Sequence, residues 1–143
     1  VDEFIKLPVD VAVTNEISST AARRNTKVDS IGADDIAVDI GDLSIEQFAH
    51  ELSHAKTVVW NGTMGLAEYP EFAHGSARVA MTLATTPGTT SIVGGGDTAD
   101  FALKWDGDDG ASFTHVSTGG GASLDLMAGN KLPGVEALLE ARK

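Results

Sequence analysis

The sequence predicts an α/β fold of three layers, in which a mainly parallel, Rossmann-like sheet lies between layers of helices. Short apolar runs alternate along the chain with amphipathic stretches, and such alternation implies right-handed crossovers between parallel strands. The apolar runs at 57–60 and 89–93 show weak period-2 alternation, as expected of strands covered on both faces. At 143 residues, the chain fits one domain.

Each element follows from a local pattern. Strands are predicted at 9–13, 36–40, 57–60, 89–93 and 113–117, and helices at 44–55, 71–85, 97–105 and 122–128. Ser44 and Gln47 have the spacing of a capping box, and Pro133 opens a last amphipathic helix. The polar stretch 14–35 has no clear periodicity and is predicted to be a loop.

Two glycine-rich turns are the most informative feature of the chain. Glycines 94–96 and 119–121 each follow a predicted strand and precede a predicted helix. Glycine has no Cβ to hold a ligand away, and a helix N-terminus offers unpaired N–H groups and the positive end of its dipole. Both turns therefore predict an anion site, with phosphate the first candidate.

The two turns are expected to lie together. Both turns follow predicted strands, and so do Gly41 and the Asn61-Gly62 pair. Open α/β sheets bind ligands at the carboxyl edge of their strands. All four loops are therefore predicted to converge on one crevice.

Charge and composition limit the possible partners. The formal net charge of −11 argues against nonspecific binding to nucleic acid or to an anionic membrane. Neither glycine turn contains Lys or Arg, so a bound phosphate would need backbone amides, a divalent cation or basic residues from elsewhere. The chain has no cysteine, no apolar run of about 20 residues and no signal-peptide pattern, which predicts a soluble, cytoplasmic protein.

The first glycine turn and the Asp97 within it each have more than one interpretation. Gly94 to Ala99 satisfies the dinucleotide fingerprint, but the next predicted strand ends in Ser117-Thr118 and not in the acidic residue that would hold a ribose. The glycines could also serve tight turns alone. Asp97 either stabilises a helix dipole or holds Mg²⁺, which often takes only one or two protein carboxylates.

His50, Glu51 and His54 match the zinc-protease pattern H-E-x-x-H. Both histidines nevertheless fall on the helix face opposite the apolar residues Ile45 and Phe48. The metzincin continuation would also need glycine at 57 and histidine at 60. The pattern therefore indicates an exposed polar face.

Three segments together resemble the C-terminal part of the phosphoglycerate kinase family. They are 58–68, 92–99 and 115–124, the last followed by Leu-Pro-Gly-Val at 132–135. Their order and spacing match that family, and the resemblance covers nearly the whole chain, most weakly over 14–35. It implies that residues 1–143 form a single, incomplete nucleotide-binding domain of a glycolytic kinase.

The resemblance also implies roles for individual residues. Glu68 would bind the nucleotide ribose, and Ala37 and Val38 would lie against the adenine, with Asn61 bordering the same site. The phosphate loop would be formed by Gly95, Gly96, Asp97 and Thr98, with Asp97 the Mg²⁺ contact. The phosphoryl group in transfer would be stabilised by Gly96 and by the amides of Gly119, Gly120 and Gly121.

The implied reaction transfers a phosphoryl group between 1,3-bisphosphoglycerate and ADP, giving 3-phosphoglycerate and ATP, with Mg²⁺ bound to the nucleotide. The family's N-terminal domain, which binds 3-phosphoglycerate, and its phosphate lysine are absent from this sequence. We therefore expect an inactive isolated chain and a monomeric full-length enzyme. The alternative is a free-standing, non-catalytic nucleotide- or phosphate-binding module.

Two further expectations follow from the comparison with that family. Thr63, Ala67 and Ala37 replace a usual Pro, Phe and Gly, which could alter the fit of the nucleotide pocket without removing chemical groups. A parallel sheet that lacks its first half would also leave an apolar edge strand, expected at 9–13 or 36–40.

Overall fold

A computed structural model describes residues 4–107 and 109–142, so the predicted domain 1–143 includes a few positions outside the described residues. The strands are β1 (Asp10–Thr14), β2 (Arg24–Lys27), β3 (Ile36–Ile40), β4 (Thr57–Asn61), β5 (Thr90–Gly94) and β6 (His115–Ser117). The helices are α1 (Asp42–His54), α2 (His74–Thr85), α3 (Gly96–Asp106), α4 (Gly120–Met127) and α5 (Pro133–Glu140). Short 3₁₀ turns cover Val28–Ser30 and Pro70–Phe72.

The α/β class is confirmed, with a parallel sheet that has helices in its crossovers. This sheet has the strand order β4-β5-β6, and α2 and α3 are in the connections between its strands. Parallel neighbours need such crossovers, whereas antiparallel strands can be joined by a short turn. From residue 57 onward, the alternation of apolar runs and amphipathic stretches therefore predicts the parallel sheet correctly.

The N-terminal strands do not join the parallel sheet, contrary to prediction. They form a second, antiparallel sheet with the order β2-β1-β3. The predicted loop 14–35 contains β2, whose sequence Arg-Asn-Thr-Lys carries no apolar residue and is mostly exposed. Because no α-helix lies between β1 and β3, no crossover forces these strands to be parallel.

The edge strand was expected at 9–13 or at 36–40, and only the second position is an edge. β1 is the middle strand of its sheet, so the expectation of an unpaired edge at 9–13 is wrong. β3 is an edge strand of the antiparallel sheet, and β4 and β6 are the edges of the parallel one. Along β4 the side chains alternate, with Val58 and Trp60 buried and Val59 exposed.

The start of α1 also differs from the capping-box prediction. The helix begins at Asp42, so Ser44 lies inside its first turn. The cap comes from β1 instead, because the Asp10 carboxylate accepts hydrogen bonds from the amides of Leu43 (3.0 Å) and Ser44 (2.8 Å). A contact between strand and helix thus replaces a local one, which sequence spacing does not reveal.

The core consists of two clusters, one for each sheet. The larger lies around Trp60, Leu83, Val93 and Phe113 under the parallel sheet. The smaller contains Ala12, Ala21, Val38 and Phe72. Within the described residues, no helix is long and apolar enough to span a membrane.

Candidate functional site

Three loops meet at the carboxyl edge of the parallel sheet. Asn61 pairs in register with Gly94, and Gly94 pairs with Ser117, so the ends of β4, β5 and β6 lie side by side. Both glycine turns and the Asn61-Gly62 turn are thus neighbours, as predicted. Gly41 does not join them, because it lies against the Asp10 carboxylate at the start of α1.

The glycines of these turns divide into two groups. A Cβ at Gly120 would overlap the backbone of Gly95 and lie 2.8 Å from Asn61 Oδ1. Gly95 has a φ of +95°, and a Cβ added there would lie 2.6 Å from the same Asn61 oxygen. By contrast, a Cβ at Gly96 or Gly121 would meet no atom within 4 Å. Gly95 and Gly120 therefore allow the turns to touch, whereas Gly96 and Gly121 border open space.

Two helices begin at this edge without a side-chain cap. α3 begins at Gly96 and α4 at Gly120, and the preceding residues Gly95 and Gly119 provide only backbone. The first amides of a helix have no partner within it and carry the positive end of its dipole. The edge is therefore suited to an anion, although the protein as a whole is strongly acidic.

Thr98 and Asp97 have different surroundings at the start of α3. Thr98 is buried, and its Oγ1 accepts a hydrogen bond of 2.8 Å from the amide of Gly62. Its side chain therefore joins the β4 turn to α3. Asp97 is exposed and faces a cleft beside the glycine turn.

This cleft has a volume of ≈ 610 Å³, which is sufficient for a nucleotide-sized ligand. Glu68 and Asp97 line it together, although they are far apart in sequence. Lys104, the basic residue of its lining, pairs with Asp100 at 2.6 Å. The lining consists of Thr63, Gly65, Leu66, Ala67, Glu68, Asp97, Asp100, Phe101 and Lys104.

Sequence reasoning missed Lys104. It lies two turns along α3 from the glycine turn, at the (i, i+4) spacing from Asp100 that usually indicates an exposed ion pair. The signal available was that it follows Asp97 on the same helix by seven residues, which places both on one face.

The wall of the cleft is a loop fixed to two neighbouring elements. The amide of Leu66 donates to the carbonyl of Val38 (2.9 Å), and the amide of Met64 donates to Ser76 Oγ (2.8 Å). Gly65 has a φ of +102°, and a Cβ there would lie 2.5 Å from the Val38 carbonyl oxygen. The loop that carries Glu68 is therefore packed directly on β3 and on the first turn of α2.

Asp39 supports the same wall from below. Its carboxylate accepts a 2.9 Å hydrogen bond from the amide of Gly75, at the start of α2. Burial raises the pKa of the Asp39 carboxyl, although its bonds from the Gly75 and Ile40 amides act in the opposite direction. This buried acid thus links β3 to α2 behind the loop.

Ala37 and Val38, predicted to contact adenine, do not line the cleft. Val38 is only 1% exposed, because its side chain packs with Ala12 and Phe72 in the smaller core cluster. Its contribution to the cleft wall is its carbonyl, which holds Leu66. Ala37 is exposed on the edge strand β3.

Among the described residues, the side chains of this site fit Mg²⁺ but do not form a metal centre of three or more protein ligands. Within residues 4–107 and 109–142, no group of three or more His, Cys, Asp or Glu side chains is arranged to hold a metal ion. Asp97 is an exposed carboxylate in the first turn of α3. One carboxylate with water and ligand oxygens is a usual set for Mg²⁺.

Comparison with known proteins gives a consistent result. The family model described as phosphoglycerate kinase matches residues 2–130. A phosphoglycerate kinase of Mycobacterium ulcerans is 44% identical over 95% of this chain, and one of Listeria welshimeri is 46% identical over 92%. The chain spans 33% of each of these relatives.

Solved structures agree with the sequence matches. The phosphoglycerate kinase of Coxiella burnetii superposes with a TM-score of 0.82 over 95% of this chain, at 33% identity. That of Pyrococcus horikoshii gives 0.76 over 96%, also at 33% identity. In both cases the chain covers 34% of the solved protein. The family match extends over most of the sequence and the fold, and the chain belongs to the phosphoglycerate kinase family.

Proposed function

We propose that this chain supplies the nucleotide-binding part of a glycolytic phosphoglycerate kinase. The observation that carries the proposal is the shared edge of β4, β5 and β6, where two uncapped helix N-termini adjoin a cleft lined by Glu68 and Asp97. The reaction would transfer a phosphoryl group between 1,3-bisphosphoglycerate and ADP. Such transfer is catalysed mainly by positioning and by stabilising spread negative charge.

The nucleotide would bind along the cleft. Glu68 would accept hydrogen bonds from the ribose hydroxyls, and Leu66 and Phe101 offer apolar surface in the same lining. The amides of Gly95, Gly96, Asp97 and Thr98 would receive the phosphates. We propose that Val38 acts on the adenine end only through its carbonyl, which holds the loop.

Mg²⁺ would bind at Asp97 and neutralise charge on the phosphate oxygens. The requirement for a cation is strong here, because Asp97 and Asp100 both line a cleft that would hold an anion. Lys104 supplies positive charge, but its ion pair with Asp100 already uses part of it.

The second glycine turn would act on the phosphoryl group in transfer. Gly120 touches Gly95, so the turn at 119–121 lies next to the phosphate loop. The amides of Gly119, Gly120 and Gly121, together with the open position at Gly96, would stabilise negative charge that develops between donor and acceptor.

The acceptor site is proposed to lie in sequence that this chain does not contain. The relatives are about three times as long. We propose that the basic residues for 1,3-bisphosphoglycerate and 3-phosphoglycerate lie in the remaining two thirds. We propose a cytoplasmic, monomeric enzyme at full length that binds no nucleic acid. The chain alone is expected to show no turnover in a coupled kinase assay.

Calorimetric titration of the chain with Mg-ADP tests the proposal. Asp97→Ala should weaken binding by about 10-fold or more, equivalent to about 1.4 kcal/mol, because it removes the Mg²⁺ contact. Glu51→Gln, a change to an exposed carboxylate of α1 outside the cleft, is the matched control and should bind like the parent chain. Equal affinities for the parent and Asp97→Ala would contradict the proposal.

The same titration addresses the alternative of a free-standing binding module. Tight, Asp97-dependent binding by the chain alone would favour the module. Weak binding that still depends on Asp97 would favour part of a larger enzyme. Kinase-level turnover by the chain alone would contradict both.

A further inference from the structure

Helix α1 carries a pair of histidines that the proposed function does not use. His50 and His54 are four residues apart, so they lie one turn apart on the same helix face. Both side chains are exposed, while Ile45 and Ala49 on the other face are buried. The solvent-facing orientation predicted from the sequence is confirmed.

The separation of the two rings is that of a chelating pair. Their centroids lie 4.6 Å apart. Two imidazoles that bind one ion at about 2.1 Å, with an angle of about 90–110° at the metal, have centroids about 4.6–5.3 Å apart. The helix therefore already holds the rings at a separation compatible with a shared metal ion.

One ring is also oriented by a hydrogen bond to the backbone of its own helix. His54 Nδ1 lies 2.7 Å from the backbone carbonyl oxygen of His50. Because a carbonyl only accepts hydrogen bonds, Nδ1 is the donor of this bond, and Nε2 is the ring nitrogen left for a metal ion to bind in the neutral ring. Histidines that bind metals usually donate their other ring N–H in this way, which orients the ring.

The neighbouring carboxylates favour a cation, and the imidazole ligands determine which metals bind. Glu46 lies one turn before His50, and Glu51 is its neighbour, in a protein of net charge −11. Their ion pairs with Arg78 (2.8 Å) and Lys6 (3.1 Å) are exposed, so they screen these carboxylates only in part. Imidazole suits Zn²⁺, Cu²⁺ and Ni²⁺, whereas Mg²⁺ prefers oxygen.

We propose that His50 and His54 form a surface site for one divalent transition-metal ion of the Zn²⁺, Ni²⁺ and Cu²⁺ class. The two Nε2 atoms bind the ion, and water completes its coordination, since no third donor of the described residues is grouped with them. The site uses none of the residues of the nucleotide cleft and is independent of the proposed function. It also accounts for the H-E-x-x-H pattern without a protease.

Calorimetric titration of the whole chain with Ni²⁺ tests this site. One equivalent is expected to bind, and either His50→Gln or His54→Gln should weaken binding by at least about 10-fold, because chelation needs both rings. His115→Gln removes an exposed histidine elsewhere and should bind like the parent chain. Unchanged binding by either α1 variant, or a loss in His115→Gln, would overturn the proposal.

A double variant keeps the number of histidines but places the two in adjacent positions of the sequence. Glu51→His with His54→Gln places the rings at adjacent positions, about 100° apart around the helix, where they cannot share an ion. We expect it to bind Ni²⁺ as weakly as His54→Gln. Binding equal to that of the parent chain would show that the folded helix is not what holds the metal, and would overturn the proposal. An equimolar amount of Mg²⁺ should leave the Ni²⁺ isotherm unchanged, and competition would also count against it.

Discussion

At the residue scale, two adjacent glycines of the same turn differ in the space around them. Gly120 contacts the backbone of Gly95, whereas Gly121 faces open space. Gly120→Ala should lower the free energy of unfolding by about 1–3 kcal/mol, because the added methyl forces the two turns apart. Gly121→Ala should leave stability unchanged or raise it by about 0.4–1 kcal/mol, because alanine restricts the unfolded chain. Equal urea midpoints for the two variants would contradict this assignment.

Two buried carboxyls give opposite contributions to stability at acid pH. Burial raises the pKa of Asp10, but hydrogen bonds from the Ser44 hydroxyl and from the Ser44 and Leu43 amides outweigh it. The net pKa therefore lies below the ordinary 3.8. Its contribution to stability is present above pH 3.8 and is lost as pH falls through the lower folded pKa. Asp39 has a raised pKa, so its protonation stabilises the fold as pH falls toward 3.8.

The two acids can be separated by substitution with asparagine. Asp10→Asn should make the acid loss of stability less steep, and Asp39→Asn should make it steeper. Urea unfolding between about pH 5 and about pH 2.5, the range in which carboxyls titrate, measures both slopes. Parallel curves for the two variants and the parent chain would contradict these pKa directions.

At the element scale, the loop that carries Glu68 depends on α2. Ser76 is fully buried, and its hydroxyl receives the Met64 amide at 2.8 Å. Ser76→Ala should leave that amide unpaired, which costs about 1–3 kcal/mol of stability. It should also weaken Mg-ADP binding several-fold, because the ribose contact proposed for Glu68 is no longer held in place.

Comparing the affinities for two ligands distinguishes an effect on the position of the loop from a general loss of folding. Pyrophosphate with Mg²⁺ would contact only the phosphate loop proposed at Asp97, so Ser76→Ala should bind it like the parent chain while binding Mg-ADP more weakly. Ser53→Ala, which removes an exposed hydroxyl of α1, is the control for both ligands. Equal losses for ADP and pyrophosphate would show that the effect does not act through the loop.

The sequence allowed some elements to be predicted closely, and others not at all. β4, β5 and α3 were predicted to within a residue, because apolar residues repeat there with a clear period. The end of α2 was also predicted, but the helix starts at His74, three residues later than expected. β2 could not be predicted, since its four residues are polar and mostly exposed, and its pairing with β1 is a long-range contact. The helix cap by Asp10 and the loop support by Ser76 were missed for the same reason, because each joins residues 12 or more apart.

At the scale of the whole molecule, net charge governs how salt affects folding and ligand binding. The chain has 21 acidic and 10 basic residues, and the ion pairs found among its described residues are mostly exposed. Exposed pairs contribute little, so the excess of negative charge repels itself and opposes the compact state. Raising ionic strength screens this repulsion.

We therefore expect salt to stabilise this chain and not to weaken its nucleotide binding. Between about 10 mM and about 150 mM NaCl the Debye length falls from about 30 Å to about 8 Å, which screens the surface acids. The urea midpoint should rise over this range, and the affinity for Mg-ADP should stay constant or increase, because both partners are negatively charged. A site that relied on surface lysines and arginines would lose affinity instead. A marked fall in Mg-ADP affinity with salt would therefore contradict binding by helix amides and Mg²⁺, and would point to Lys104 as the main anion contact.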